Sequence, residues 1–202
     1  MNTEKMQDDI NWIKQLAEEG RAQPLSDGII GVWWAVLTSG MMLLHWATAT
    51  GKMPFAIQYI GFAWVSYSLI GYVGTMVFVK KIKRKGGGFS LSDRVSSASW
   101  SMFGAGISSF FIGVAIAVFY AGAPYWIFNI ILPVSFFGYG IANGVTAMLS
   151  KNRASGIAAI LSFLSVIVLM SLLMTNTIYL VAAIAVLIVI IPPSLLSFSV
   201  KK

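Results

Sequence analysis

The residues that could carry chemistry in this chain are few, and most of the charged ones lie outside its long apolar runs. The 202 residues include one histidine, His45, and no cysteine, which excludes disulfides, thiolate metal sites and cysteine nucleophiles. The seven acidic residues lie in the first 27 positions, apart from Asp93, which stands just before a long apolar run. Proton relays and ion-coupled pumps place charged side chains inside the membrane, although each such side chain costs about 2.5–3.5 kcal/mol of insertion free energy. We therefore expect no enzyme activity, no metal site and no resident cofactor.

His45 has two interpretations. As a functional residue it could ligate a haem- or chlorophyll-type metal, bind a ligand, or sense pH near neutrality. As a structural residue it would be a polar aromatic at the membrane interface, hydrogen-bonded to a neighbouring backbone group or to water. We favour the structural interpretation, because a cofactor held by one histidine would need symmetry or a partner to supply any second ligand.

Polar and aromatic residues gather at the same predicted membrane level as His45. A ring of aromatic residues at this level is first of all the interfacial belt typical of membrane helices. Gln58 and Asn129, however, lie about one turn inside their predicted helices, where an unpaired amide is costly. If they face inward, they outline a small polar vestibule open to the outside. Its candidate residues are His45, Gln58, Trp64, Trp126 and Asn129.

The elements that must position these residues follow from the composition. Hydrophobic residues make up 57% and charged residues 10% of the chain, against about 25% charged residues in soluble domains. The long uncharged stretches hold 24, 27, 56 and 47 residues, and one membrane helix needs about 20. The first two stretches therefore predict one helix each and the last two predict two each, with turns at 121–124 and 174–177. The predicted spans are 28–49, 55–79, 95–120, 125–149, 154–173 and 177–199.

The predicted fold is an all-α integral membrane protein with six transmembrane helices in three hairpins, preceded by a short amphipathic helix. Residues 1–24 would form that helix and a linker, and residues 25–202 the transmembrane domain. Helices are predicted rather than a β-barrel, because barrel strands alternate in polarity over about ten residues. No cleavable signal peptide is expected, because the first apolar run follows 27 residues and is too long for a signal core.

The basic residues predict the orientation. With the N-terminus inside, 13 of the 14 Lys and Arg residues lie in the cytoplasm and only Lys52 lies outside. Both termini are therefore predicted to be cytoplasmic, in a plasma (bacterial inner) membrane. The net charge of +7 does not predict a nucleic-acid partner, because the basic residues stand at the ends of apolar runs. One dense cluster predicts contact with anionic lipid, at about 1 kcal/mol per charge: Lys80, Lys81, Lys83, Arg84 and Lys85.

Residues 4–19 predict an amphipathic helix. Ile10 and Ile13 fall on one face with Met6 and Ala17, and Gly20 is a plausible end. The other face carries five acidic residues against two lysines, whereas helices that lie on anionic lipid are normally basic. We therefore expect this helix to pack against protein rather than lodge in the interface.

The third predicted span carries a stripe of small residues at every fourth position. Lipid offers no hydrophobic drive for helix association, so close approach over small residues holds membrane helices together. We expect the stripe to be buried, either within the bundle or against a second copy of the chain. Its members are Ser97, Ser101, Ala105, Ser109, Gly113 and Ala117.

A weak internal repeat links the first two hairpins. The triplet Leu-Ser-Asp occurs at 25–27 and again at 91–93, and each is followed at the same spacing by a tryptophan, Trp34 or Trp100. Duplication of a hairpin would explain this pattern. So would convergence, because Ser and Asp cap helix starts and Trp favours the interface.

Two functional classes lead, and a third, an intramembrane enzyme, is disfavoured because no nucleophile–base pair or metal set is visible. The first is a non-catalytic accessory or regulatory subunit that acts through helix packing and through docking of residues 4–19 on a partner. The alternative is a ligand-binding or transport protein for a small uncharged or aromatic solute. The size and the six-helix layout with both ends inside resemble the substrate-binding subunits of energy-coupling-factor vitamin transporters, and this resemblance of architecture implies solute entry from outside.

Overall fold

The computed structural model describes residues 7–14, 27–54, 56–84, 91–150 and 153–199, and this part of the chain is helical without a β-strand. Short 3₁₀ turns at Ile57–Tyr59 and Tyr125–Ile130 lead into two of the helices. The helices are α1 (7–14), α2 (Asp27–Ala49), α3 (Ile60–Arg84), α4 (Leu91–Phe119), α5 (Ile131–Ser150), α6 (Arg153–Ser171) and α7 (Thr177–Ser199). The predicted boundary between residues 24 and 25 lies outside the described residues.

Five apolar segments of the described chain are long enough to cross a membrane, which confirms an all-α membrane protein. In α7 the apolar portion, Thr177–Pro192, is shorter, although the helix continues to Ser199. The sixth crossing therefore stays a prediction. The five segments are Gly28–Ala49, Ile57–Lys81, Arg94–Phe119, Tyr125–Leu149 and Arg153–Ser171.

The bundle has a hairpin end and a basic end. The hairpin end carries the turns after α2, α4 and α6, where Gly51 and Gly122 both have a φ of +71°. Glycine has no Cβ to clash in this left-handed conformation, so it suits these tight turns. The basic end carries Lys80, Lys81 and Arg94.

The membrane helices pack in the order α3, α2, α7, α6, α5, α4, so α3 and α4 lie at the two edges. The core follows α7, where Ile178, Ala182, Ala183 and Val189 are at most 1% exposed. The small side chains of Ala182 and Ala183 let the helix backbones approach closely, which is how membrane helices associate without a hydrophobic drive. Because α2 and α7 are this close, the Ser39 hydroxyl donates a hydrogen bond to the Ala183 carbonyl at 3.1 Å.

Helix α3 is joined to α2 by side-chain hydrogen bonds along its length. These hydrogen bonds join Trp33 to the Gly71 carbonyl (3.4 Å), Trp34 to Thr75 (3.0 Å) and Thr38 to Tyr67 (2.8 Å). Gly71 and Gly74 leave room for the two indole rings, since an added Cβ at either position would overlap one of them. The three hydrogen bonds hold α3 at the edge of the bundle, where only 6% of its apolar span is buried.

The α2–α3 and α4–α5 hairpins have similar turns but different places in the packing order. Each turn has a glycine at φ +71° and then a proline before a 3₁₀ turn. However, the first helix of one pair, α2, lies inside the packing order, whereas its counterpart α4 lies at an edge. The local likeness is therefore not matched by equivalent packing, which favours convergence.

Candidate functional site

Four side chains from different elements meet at the hairpin end and form what we call the aromatic clasp. His45 lies in the last two turns of α2, and Trp64 lies at the start of α3. Tyr179 lies in the first turn of α7, and Asn129 lies in the 3₁₀ turn before α5. The clasp therefore joins α3, α2 and α7 to the turn that precedes α5.

The hydrogen bond between Trp64 and His45 fixes the form of the imidazole. The indole Nε1–H of Trp64 donates to His45 Nδ1 at 3.1 Å. An acceptor nitrogen carries no proton, so the ring is neutral with its proton on Nε2. His45 thus acts as a hydrogen-bond acceptor between two helices, and its partner is a side chain rather than the expected backbone group or water.

Tyr179 extends the clasp from His45 to Asn129. The Tyr179 and His45 rings stack with centroids 3.6 Å apart, and the Tyr179 hydroxyl donates to Asn129 Oδ1 at 2.5 Å. Asn129 is 8% exposed, and its Nδ2 donates to the Leu173 carbonyl at 2.6 Å. The buried amide is therefore paired on both sides, which removes the cost of leaving it unpaired.

Three of the five predicted vestibule residues come together, namely His45, Trp64 and Asn129. Gln58 is exposed on its 3₁₀ turn and Trp126 is 36% exposed, and neither contributes a hydrogen bond to the clasp. Tyr179, which links the two halves, was not among the candidate vestibule residues. Because the polar groups are bonded to one another, the arrangement is suited to joining helices rather than to surrounding a solute.

No described set of side chains outside or within the clasp gathers three or more His, Cys, Asp or Glu residues that could hold a metal. The Nε2–H of His45 and the amide of Gln58 remain as polar groups without a hydrogen-bond partner within the described chain. The chemistry offered here is hydrogen bonding and ring stacking.

The small-residue stripe is not buried in the bundle, so that alternative is wrong. The first five members, from Ser97 to Gly113, are exposed, and only Ala117 is half-buried. An added Cβ at Gly113 would meet nothing within 4 Å. Burial against a second copy is untested and stays a prediction.

The geometry of α4 explains this result. Residues four apart rotate by about 40° around a helix, so six such positions drift through about 200°. The side of α4 that faces its neighbour instead repeats every three or four residues, the spacing that keeps one seam in register. The residues on that side are Ser96, Trp100, Phe103, Ile107, Phe110, Val114 and Val118.

Two grooves follow one flank of α4. The first, of about 600 Å³, runs between α4 and α5 from Arg94 at the basic end to Phe103 and Gly138. The second, of about 480 Å³, lies nearer the hairpin end and includes Ser109, Gly113 and Ala117. Neither groove is lined by a residue of the clasp. Both grooves along α4 are thus separate from the aromatic clasp, where three of the predicted vestibule residues lie.

The predicted anionic-lipid cluster is only partly described. Lys80 and Lys81 are exposed in the last two turns of α3. The side chains of Lys83 and Arg84, and the whole of Lys85, lie outside the described residues. Contact of this cluster with lipid stays a prediction.

Comparison of the chain with known protein families, with characterised proteins and with solved structures found no match.

Proposed function

We propose that the chain is a non-catalytic accessory or regulatory subunit of the plasma (bacterial inner) membrane, which acts through helix contacts and through docking of α1 on a protein partner. The observation that carries the proposal is the exposed apolar side of α1. Ile10, Trp12 and Ile13 are 56%, 64% and 59% exposed, respectively. A short helix with such a face needs something to cover it.

The charge of α1 favours a protein over a lipid surface as that cover. Asp8 and Asp9 are exposed within the described turns, against Lys14. Helices that lie on anionic membranes carry an excess of Lys and Arg on their polar face. An acidic helix in an otherwise basic chain instead suits a partner with basic residues around an apolar groove.

The proposed topology has six crossings with both termini in the cytoplasm. Helix α7 has 23 residues, so at about 1.5 Å per residue it is long enough to span a hydrocarbon core of about 30 Å. The excess of Lys and Arg puts the basic end in the cytoplasm. There Lys80, Lys81, Lys83, Arg84 and Lys85 would contact anionic headgroups.

The edge helices support a role in helix contact. Only 6% of the α3 span and 11% of the α4 span are buried. The exposed glycines of α4 have open space at their Cβ positions, although glycine costs a helix about 1 kcal/mol relative to alanine. A helix from a partner, or from a second copy, lying along Ser109, Gly113 and Ala117 would use that space.

Native mass spectrometry of gently purified full-length protein tests the proposal. We expect a second protein at fixed stoichiometry, and we expect Trp12→Ala together with Ile13→Ala to lower its occupancy severalfold. Asn11→Ala, at an exposed position on the other side of α1, is the matched control and should change nothing. Equal occupancy in all variants would contradict α1 docking, and a bound metabolite in place of a protein would support the transport alternative.

A peptide of residues 1–20 separates protein docking from lodging in lipid. Trp12 is its only tryptophan, so its emission reports directly on burial. We expect little blue shift with vesicles of anionic lipid, because the acidic side chains oppose binding. A strong blue shift with these vesicles would mean that the membrane surface itself covers the apolar face.

A further inference from the structure

We infer that the groove between α4 and α5 at the basic end binds one anionic phospholipid, with an acyl chain along its floor and the headgroup phosphate at Arg94. The site differs from the lysine-rich cluster after α3, and it does not depend on α1 or on a protein partner. The ligand belongs to one chemical class, the phospholipids with a negatively charged headgroup.

The groove exists because bulky and small residues are unequally distributed along the α4–α5 seam. Toward the middle of the membrane the Phe103 ring packs where Gly138 has no side chain, since an added Cβ there would lie 2.6 Å from the ring. Trp100 also packs on Tyr139, with ring centroids 5.0 Å apart. Toward the basic end the seam carries Ala98, Ser99 and Ala142 instead, and the groove of about 600 Å³ runs over these small residues.

The lining fits an acyl chain. Met102 and Ile141, which are 74% and 48% exposed, form its open edges, and the 3% exposed Ala142 belongs to its floor. From Arg94 to Phe103 the helix rises by about 14 Å, close to half of a hydrocarbon core of about 30 Å. The groove therefore has the depth of one leaflet and opens sideways to lipid.

The charge at the mouth selects the headgroup. Arg94 is exposed and lines the groove at its water-facing end, and none of the described residues that line the groove is Asp or Glu. A guanidinium group donates to phosphate oxygens in a forked geometry. The first backbone N–H groups of α4, which begins at Leu91, add partial positive charge at the same end. A zwitterionic lipid gains less from this field than an anionic one, because its own cation opposes it.

Lipid retention by the full-length protein tests the inference. The purified protein is mixed in detergent with equal phosphatidylglycerol and phosphatidylcholine, and the lipid that survives release from the micelle is counted by native mass spectrometry. We expect one phosphatidylglycerol per chain, retained in preference to phosphatidylcholine. Arg94→Gln should lower phosphatidylglycerol retention about fivefold, the loss expected for one basic residue near the headgroup, while Arg94→Lys should retain most of it. Free glycerol phosphate should not compete, because it has no chain to fill the groove.

Two further variants separate groove filling from charge. Ala98→Phe puts a ring into the groove and should abolish retention of both lipids, although Arg94 is unchanged. Ile112→Phe, at an exposed position that lines neither groove, and Arg153→Gln, an exposed cation outside the lining, are the controls and should retain lipid as the parent does. Each variant is first shown to be folded by its thermal transition in detergent. Equal retention of the two lipids, competition by free glycerol phosphate, or unchanged phosphatidylglycerol retention in Arg94→Gln or Ala98→Phe would overturn the inference. The result is independent of the α1 experiment, so either proposal can fail alone.

Discussion

Replacing Asn129 by alanine should lower the free energy of unfolding by about 2 kcal/mol. The side chain makes two short hydrogen bonds, to the Leu173 carbonyl at 2.6 Å and from the Tyr179 hydroxyl at 2.5 Å. Side-chain hydrogen bonds within membrane bundles contribute ~0.6 kcal/mol on average and up to ~1.7 kcal/mol. Tyr179→Phe removes only one of these bonds and keeps the ring stacked on His45, so it should cost about 1 kcal/mol.

A double-mutant cycle tests whether these losses arise from the same contact. In the Asn129→Ala background the Tyr179 hydroxyl has already lost its acceptor, so Tyr179→Phe should cost almost nothing more. The coupling energy should therefore be about 1 kcal/mol. Reversible unfolding in mixed micelles, driven by added SDS and followed by far-ultraviolet circular dichroism, provides all four values. Additive costs in the double variant would refute the clasp as an energetic unit.

Asn176→Ala is the matched control, because it removes an asparagine amide at the same end of the bundle. Its Nδ2 reaches the Ala49 carbonyl at 3.3 Å, and the side chain is exposed. Exposed substitutions of this kind usually change stability by less than about 0.5 kcal/mol. A loss as large as that of Asn129→Ala would mean that burial does not set the strength of these bonds.

Three other predictions follow from the topology, the histidine and the glycines. Cysteine at Met53 should react with an impermeant thiol reagent in whole cells and cysteine at Ser90 should not; labelling of position 90 would reverse the proposed orientation. His45→Gln keeps a side-chain acceptor and should leave both the fold and the absorbance spectrum unchanged, whereas a coloured protein that bleaches would require a cofactor. Gly74→Ala should lower the free energy of unfolding by about 1–3 kcal/mol through overpacking, because its Cβ would lie 2.5 Å from an indole atom. Ala105→Leu, at an exposed position, should be nearly neutral in the same SDS titration, and an equal loss in both variants would contradict the packing order.

The helices could be predicted because their lengths follow from local composition. The charge-free run from 28 to 51 predicts a span at 28–49, and α2 is Asp27–Ala49. The turn predicted at 121–124 contains Gly122 with its positive φ. The order of packing could not be predicted in this way, because it depends on contacts between distant residues, such as Ser39 with Ala183, 144 positions apart.

The clasp was only partly predictable for a related reason. Position along a helix gives depth in the membrane, and it put His45, Trp64 and Asn129 at one level. Rotation about the helix axis must be read from a polar face, and α7 is apolar on nearly all sides. The sequence therefore did not indicate that Tyr179 points inward, and the same lack of a polar face hid which side of α4 faces its neighbour.

The two edge helices are linked by a connection too short for a straight row of helices. Arg84 ends α3 and Leu91 begins α4, so seven Cα steps, or at most about 25 Å, separate these residues whatever the path between them. Four helices lie between α3 and α4 in the packing order, and five interaxial spacings of about 8–10 Å would make a straight row about 40–50 Å wide. The row must therefore bend, or its end helices must tilt, so that α3 and α4 approach each other at the basic end without packing extensively together. The ends of α3 and α4 at Arg84 and Leu91, the two least buried of the five membrane-length segments, therefore lie within about 25 Å of each other.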